Sequence, residues 1–260
     1  MTALVTGAGS GIGAAVVLAA SRQGANIAAL DVDVAQLDDV ASRATREGAN
    51  DVLAINADVR SEPAVEEALQ RCRERLGVPT AVLANAGIEI NAPAHEISLG
   101  DWNRTLEVNL TGAFLTARIA IREMLSAGIG GSIVCTSSPS AFVGFAGGNS
   151  AAYAASKGGI SAMVRSFALD YASAGIRVNA VVPGAIDTPL LTVTAPAEQR
   201  SRLRDRIVER AQEQVPLCRL GTPAEVANAV VWLWSDGASY VTGSHLVVDG
   251  GLLAKGANDF

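Results

Sequence analysis

What most constrains this chain is a rhythm: short, continuously apolar runs alternate with longer segments of helical period almost to the C-terminus. Ala3–Thr6, Asn26–Leu30, Val52–Asn56, Ala81–Ala84, Ser132–Thr136, Arg177–Val182 and His245–Val248 each read as a strand of four to six residues. Strands that stay apolar instead of alternating with polar residues are buried on both faces, as in a parallel sheet. Parallel neighbours need crossover connections, and helical segments at roughly 12–22, 35–47, 62–76, 101–127, 151–173 and 223–235 supply them. The expected fold class is α/β, a doubly wound parallel sheet flanked by helices.

No linker or repeat interrupts the rhythm, so residues 1–260 are expected to form one domain. The departure is 185–216, which follows a strand without an immediate crossover helix. Within it Leu203, Ile207 and Ala211 recur at a spacing of four in a charged stretch, the pattern of an amphipathic helix with a narrow apolar stripe. It reads either as a solvated surface helix or as a movable lid over a site.

Composition narrows the partners. Hydrophobic residues make up 49% and charged residues 18%, enough to bury a sizeable core. A net charge of −6 argues against nucleic acid or an anionic membrane surface, which require clustered Lys and Arg. Apolar runs such as Ala14–Ala20 are too short to span a bilayer. Strand-like sequence begins at Thr2 with no basic region or cleavage site before it, and a cytoplasmic location is expected. Cys72, Cys135 and Cys218 have neither metal-ligand nor disulfide spacing, so no metal site is expected and the thiols read as reduced.

The first strand runs directly into Thr6-Gly7-Ala8-Gly9-Ser10-Gly11-Ile12-Gly13 and then into an apolar helix. Glycines let a backbone turn sharply and approach a pyrophosphate, whose charge is favoured at a helix N-terminus. The position between a strand and a helix at the start of a βαβ unit is that of a Rossmann-type dinucleotide loop. The spacing is T-G-x-x-x-G-x-G; Ile12 stands where the G-x-G-x-x-G form would place its third glycine. Asp31 ends the second strand, where a carboxylate accepts from adenosine ribose hydroxyls and repels a 2′-phosphate. Neither Ser10 nor Val32 offers a cation to neutralise that phosphate, so NAD is expected over NADP. Asp31 could instead be a turn or capping aspartate, although Asp33 suits the cap better.

Further motifs follow in order: Asp58-Val59, Asn85-Ala86-Gly87, Asn109, Ser137-Ser138, Tyr153-Ala154-Ala155-Ser156-Lys157, Pro183-Gly184 with Thr188, and Asp249-Gly250-Gly251. Together they resemble the short-chain dehydrogenase/reductase family over almost the whole chain. The resemblance implies a seven-stranded parallel sheet of order 3-2-1-4-5-6-7 and a homotetramer. It implies that Gly7, Ser10, Gly11, Ile12 and Gly13 hold the cofactor phosphates. Asp58 and Val59 would then meet the adenine, and Asn85, Ala86 and Gly87 the ribose side. Pro183, Gly184, Ile186 and Thr188 would lie at the nicotinamide.

The chemistry asks for a group that removes a hydroxyl proton as a hydride leaves the carbinol carbon. A free tyrosine, pKa ~10, is a poor base at neutral pH, and a nearby cation lowers that value. Tyr153 and Lys157 are spaced i, i+4 and share one helix face, so Lys157 can act on Tyr153 and still reach the nicotinamide ribose. Ser138 follows a strand and is expected at the carboxyl edge of the sheet, holding the substrate oxygen. Tyr153 lies 15 positions after it, about two more than in the family pattern. That places a slightly enlarged loop at Gly144–Asn149 and leaves Ser137 and Ser140 as alternatives. Asn109 interrupts an apolar helix; the resemblance gives its carbonyl a water that links Lys157 to solvent, and otherwise the residue satisfies core backbone groups. His95 and His245 have no ligand or carboxylate at functional spacing and read as surface or packing residues.

The expected function is therefore oxidation or reduction of a small secondary alcohol or ketone with NAD, the substrate being a sugar, polyol or other hydroxy compound. Two alternatives stand beside it: a 3-oxoacyl thioester reductase, and an NAD-binding regulator without turnover. The substrate pocket is expected among Pro139–Phe145, Glu89–Ala92 and Ala185–Val193. Arg200, Arg202, Arg204, Arg206 and Arg210 offer a basic surface there that Glu198, Asp205, Glu209 and Glu213 largely cancel.

Overall fold

The computed structural model describes residues 1–145, 147–193 and 195–255. Seven strands, β1 (Thr2–Thr6), β2 (Asn26–Asp31), β3 (Asp51–Asn56), β4 (Ala81–Ala84), β5 (Gly131–Thr136), β6 (Ile176–Pro183) and β7 (His245–Val248), form one sheet of order β3-β2-β1-β4-β5-β6-β7. Every neighbouring pair is parallel. β1 and β4 are buried at every position, as continuously apolar strands in a doubly covered sheet must be.

The helices are α1 (Gly11–Ser21), α2 (Val34–Arg46), α3 (Glu62–Leu76), α4 (Leu99–Leu106), α5 (Gly112–Ala127), α6 (Ala151–Tyr171), α7 (Arg200–Gln214) and α8 (Pro223–Trp234). α3, α5 and α6 cover one face, with Leu69, Ile119, Met124 and Ile160 fully buried against Leu4 and Ile133. α1, α2 and α8 cover the other, where Val16, Val17, Val230 and Leu233 pack on Val5, Leu83 and Val134. The Asp33 carboxylate caps α2 by accepting from the Gln36 amide at 3.1 Å, as its sequence position suggests.

One expected element is not continuous. The helix predicted over 101–127 is divided into α4, a π-helical turn at Glu107–Thr111, and α5. The amide of Gly112 reaches back five residues to the Glu107 carbonyl. The cause lies in two side chains: Asn109 is drawn out of helical register by partners on other elements, described below. A Cβ at Gly112 would sit 2.6 Å from Val59 Cγ2, so glycine is what lets the widened turn press against that loop.

At the other end of the site, α1 begins almost on top of the glycine loop. Gly7 turns the chain with φ +64°, and a Cβ on Gly13 would lie 2.0 Å from the Gly7 carbonyl oxygen. Gly13 thus serves helix–loop packing, a separate task from touching a ligand. We expect Gly13→Ala to cost at least ~3 kcal/mol, since no backbone shift of that size is free in a close-packed interior. Denaturant melts of the variant check this; wild-type stability would mean the helix start is softer than its geometry.

Candidate active site

Along the carboxyl edge of the sheet a chain of polar contacts joins the ends of β1, β4 and β5. The Thr6 hydroxyl oxygen accepts from the amides of Asn85 at 2.9 Å and Ala86 at 3.2 Å. The Asn85 side-chain amide donates to the Thr6 carbonyl at 3.2 Å, and its oxygen accepts from the Thr136 hydroxyl at 3.0 Å. The Thr136 carbonyl in turn accepts from Lys157 Nζ at 2.7 Å. Four residues thereby tie the glycine loop to the lysine on α6. Neither threonine was predicted as a site residue, because a Thr ending a strand carries no sequence signal beyond β propensity.

Above this edge opens a cleft of about 860 Å³, within the range of ligand sites. Of the predicted residues, Gly7, Ser10, Gly11, Ile12 and Asp31 line it near the loop, as do Asp58, Val59, Asn85, Ala86 and Gly87. Ser138, Tyr153, Lys157, Pro183, Gly184, Ile186 and Thr188 line it further along. Gly13 and Asn109 do not line it. Asp31 is held by its surroundings: one carboxylate oxygen accepts from the Gly9 amide at 2.8 Å, the other from the Asp33 amide at 3.0 Å. Arg60 also lines the cleft, and the Asp58 carboxylate accepts from its guanidinium at 2.9 Å and 2.6 Å.

Tyr153 and Lys157 sit one turn apart on α6, with Nζ 5.4 Å from the phenol ring centroid. Lys157 is only 3% exposed, and burial pulls its ammonium down to about 8. Burial pushes the Tyr153 phenol up to about 12; the Glu89 carboxylate adds to that rise and a hydrogen bond with Ser138 opposes it. Ser138 also donates to Ser140 Oγ at 3.2 Å, and both serines line the cleft. Ser137 also borders the cleft, but its side chain is buried and its hydroxyl is committed elsewhere, donating to the Lys157 carbonyl at 3.2 Å and paired with the Ser161 hydroxyl at 2.8 Å. Of the three candidates, Ser138 is the one brought to the Tyr153 hydroxyl. Glu89 lines the same wall, its carboxyl raised by burial and steadied by Asn91.

Asn109 works from behind the wall. Its side chain spans the Ile88 backbone, accepting from the amide at 2.8 Å and donating to the carbonyl at 2.9 Å. It also donates to Ser156 Oγ at 3.1 Å, and Ser156 donates to the Tyr153 carbonyl at 2.7 Å. This satisfies buried backbone groups and fixes both the loop carrying Glu89 and the turn carrying Tyr153. Ser156 escaped sequence analysis because a serine inside Y-x-x-x-K reads as a spacer.

The expected pocket is realised in part. Pro139, Ser140, Phe145, Glu89 and Asn91 line the cleft, with Ala185 and Leu190–Leu191. Phe142 and Val143 instead face solvent, and Phe142 meets the His245 ring edge-on at 5.5 Å. In the enlarged loop Gly147, Gly148 and Asn149 line the cleft, and the Asn149 carbonyl accepts from the Ala92 amide at 2.9 Å. Ala146 of that loop lies outside the described residues. α7, inside the 185–216 segment expected as a surface helix or a lid, adds a wall with Ile207, Arg210, Ala211 and Gln214. No group of three or more His, Cys, Asp or Glu side chains is placed to hold a metal ion, and no helix is long and apolar enough to cross a membrane, among the described residues.

A glycine loop at the switch point of a parallel sheet, leading to a Ser, Tyr and Lys cluster, defines a nicotinamide-dependent oxidoreductase class. A family model described as enoyl-(acyl carrier protein) reductase matches residues 7–253. The cis-4-hydroxycyclohexanecarboxylate dehydrogenase of Sinomonas cyclohexanicum is 42% identical over 97% of this chain and 96% of its own. A short-chain type dehydrogenase/reductase from Mycobacterium marinum superposes with TM-score 0.90 at 33% identity, covering 98% of this chain and 96% of that one. An Agrobacterium tumefaciens structure with bound NADP, provisionally named a 2-deoxy-d-gluconate 3-dehydrogenase, gives 0.85 at 29% identity over 98% and 96%. The chain belongs to the short-chain dehydrogenase/reductase family, whose dehydrogenases use nicotinamide cofactors.

The buried lysine has a consequence for stability. Its pKa in the fold lies below the unfolded value of 10.5, so folding is opposed while the lysine is charged, below about pH 8. The penalty shrinks as pH rises from about 8 towards 10.5 and is gone above it. Lys157→Met should therefore raise Tm at pH 7 and raise it less at pH 10; calorimetry showing an equal gain at both would contradict the assignment.

Proposed function

We propose that the protein is an NAD-dependent dehydrogenase or reductase of small secondary alcohols and their ketones. The observation that carries this reading is the convergence of Ser138, Tyr153 and Lys157 at one point of a cleft that begins at the glycine loop. The fit to a dinucleotide rests on that continuity and on the loop: Gly7 and Gly11 both have positive φ and present backbone where a side chain would obstruct a phosphate. When bound, the nicotinamide ring supplies the two-electron partner for the carbinol carbon.

The protein's own groups do the rest. Ser138 holds the substrate oxygen beside the phenol and bears charge that develops on it. Tyr153 exchanges the hydroxyl proton; a phenol near 12 is protonated at neutral pH and donates in the reductive direction. In oxidation the Lys157 ammonium favours the phenolate, and its own place is kept by the Thr136 carbonyl. Asn109 is a positioning residue, and the water path through its carbonyl remains part of the proposal. Asp31 supports NAD: it faces the ribose end, and Arg60, the cation that could receive a 2′-phosphate, is engaged by Asp58. One domain over 1–260, with 185–216 as a lid, belongs to the same reading. So do a cytoplasmic location and a homotetramer, the latter supported by exposed Trp232, Tyr240 and Val247.

A substrate panel that includes cyclic alcohols, among them cis-4-hydroxycyclohexanecarboxylate, tests the reaction by absorbance of reduced nicotinamide. Tyr153→Phe is expected to lower kcat by ~10²–10⁴-fold with little change in Tm; a variant with wild-type kcat overturns the role of Tyr153. With the same substrate, kcat/KM for NAD should exceed that for NADP by roughly tenfold or more, the size of one repelled or unpaired charge. Equal efficiency with NADP would show that Asp31 does not exclude the 2′-phosphate.

A further inference from the structure

α7 is mostly exposed, with Ala211 its one buried residue. Its half-buried positions Leu203 and Ile207 follow the stripe that the spacing of four predicts. Positions 203, 207, 210 and 214 advance by four, three and four, so the exposed Arg210 and Gln214 flank the stripe on its cleft side. Ile207, Arg210, Ala211 and Gln214 are accordingly the residues through which α7 lines the cleft.

Arg210 is exposed, and what sets it apart is that it lines the cleft. Of the other basic residues nearby, Arg202 and Arg206 do not line the cleft, Arg204 donates to the Asp187 carboxylate at 2.5 Å and 3.1 Å, and Arg219 is paired with Glu225 at 2.6 Å. Arg200 donates to the Ala195 carbonyl at 3.2 Å. Among the described residues, no carboxylate lies within 4 Å of Arg210 and no protein group accepts a hydrogen bond from it. The two other arginines of the cleft, Arg60 and Arg104, lie with Asp58 at the end read above as the adenine site. Lys157 is spent on the Thr136 carbonyl. Away from that end the cleft thus holds one guanidinium with its donors unspent, on the helix that forms one of its walls, and a planar fork of N–H donors matches a carboxylate.

We propose that Arg210 forms an anion subsite, and that the substrate is a compact secondary alcohol or ketone bearing a carboxylate away from the reacting carbon. This rests on the dehydrogenase reading above and names the substrate class of that site. The hydroxyl meets Ser138 and Tyr153, and the carboxylate is gripped from α7 with Gln214 beside it. The arrangement couples binding to closure: the anion joins the wall of 185–216 to the substrate, so a neutral alcohol lacks the contact that draws α7 inward.

The test uses a ring anion that cannot react, so that it does not depend on turnover. Calorimetric titration of the full-length protein, saturated with NAD, compares cyclohexanecarboxylate with neutral cyclohexanecarboxamide. Arg210→Gln should weaken the carboxylate about tenfold or more, the scale of a charge-assisted hydrogen bond, while leaving the carboxamide unchanged. Arg210→Lys should recover part of the loss. Equal binding of the two ligands by the wild type, or equal binding of the carboxylate by the variant, overturns the subsite. A variant that instead loses NAD affinity shows that Arg210 serves a cofactor phosphate, which also overturns it. Carboxylate binding that depends on Arg210 in a protein that turns over no alcohol would sustain the subsite and remove the dehydrogenase reading.

Discussion

The site depends on keeping a lysine charged inside an apolar core. Lys157 is buried between the sheet edge and α6, and its ammonium is partnered there by a hydrogen bond donated to the Thr136 carbonyl. That carbonyl is free to accept because β5 ends at Thr136, and the Thr136 hydroxyl is itself committed to Asn85, which is committed to Thr6. The strands of a parallel sheet all end on one edge, so their last residues meet side by side. Here those residues are polar, and they join the glycine loop and the Tyr153–Lys157 pair into one framework.

The same logic explains the irregular helix in front of α5. A regular helix would direct Asn109 wherever its register dictates. The π-helical turn redirects it to both polar groups of Ile88 and to Ser156. A local cost in helix geometry is offset by three hydrogen bonds, one buried and two part-buried, and the result ties the Glu89 wall to the Tyr153 turn. Glu89 then sets part of the electrostatic environment of the phenol, pushing its pKa in the same direction as burial does.

Much of this was legible in the linear sequence. Strand positions follow from continuous apolar runs, because burial on both faces leaves no alternation, and the observed bounds differ from the expected ones by a residue at most at either end. The glycine loop, Asp31 and the Tyr153–Lys157 pair are local motifs whose geometry is set within one turn or one loop. Less legible was anything that depends on which element packs beside which. Thr6, Thr136 and Ser156 carry no motif of their own, and their roles arise from partners 79, 21 and 47 residues away. The charge balance over α7 is silent on a related point: counting arginines against acids does not reveal that Arg204 is paired with Asp187 while Arg210 has no carboxylate partner among the described residues.

The sequence by itself determined the sheet, its crossovers, the family and the pairing of Tyr153 with Lys157 on one helix face, because periodicity and short-range spacing act within a single element. Only the tertiary structure decided which of three serines meets the phenol, where Asn109 spends its amide and which arginine turns into the cleft. Those choices are made between elements: Ser137 is lost to α6, Ser138 is left to the cleft, and the face of α7 is set by the apolar stripe that packs inward. Hydrogen bonding and burial are satisfied in three dimensions, so a residue's task depends on the neighbours that the fold brings to it.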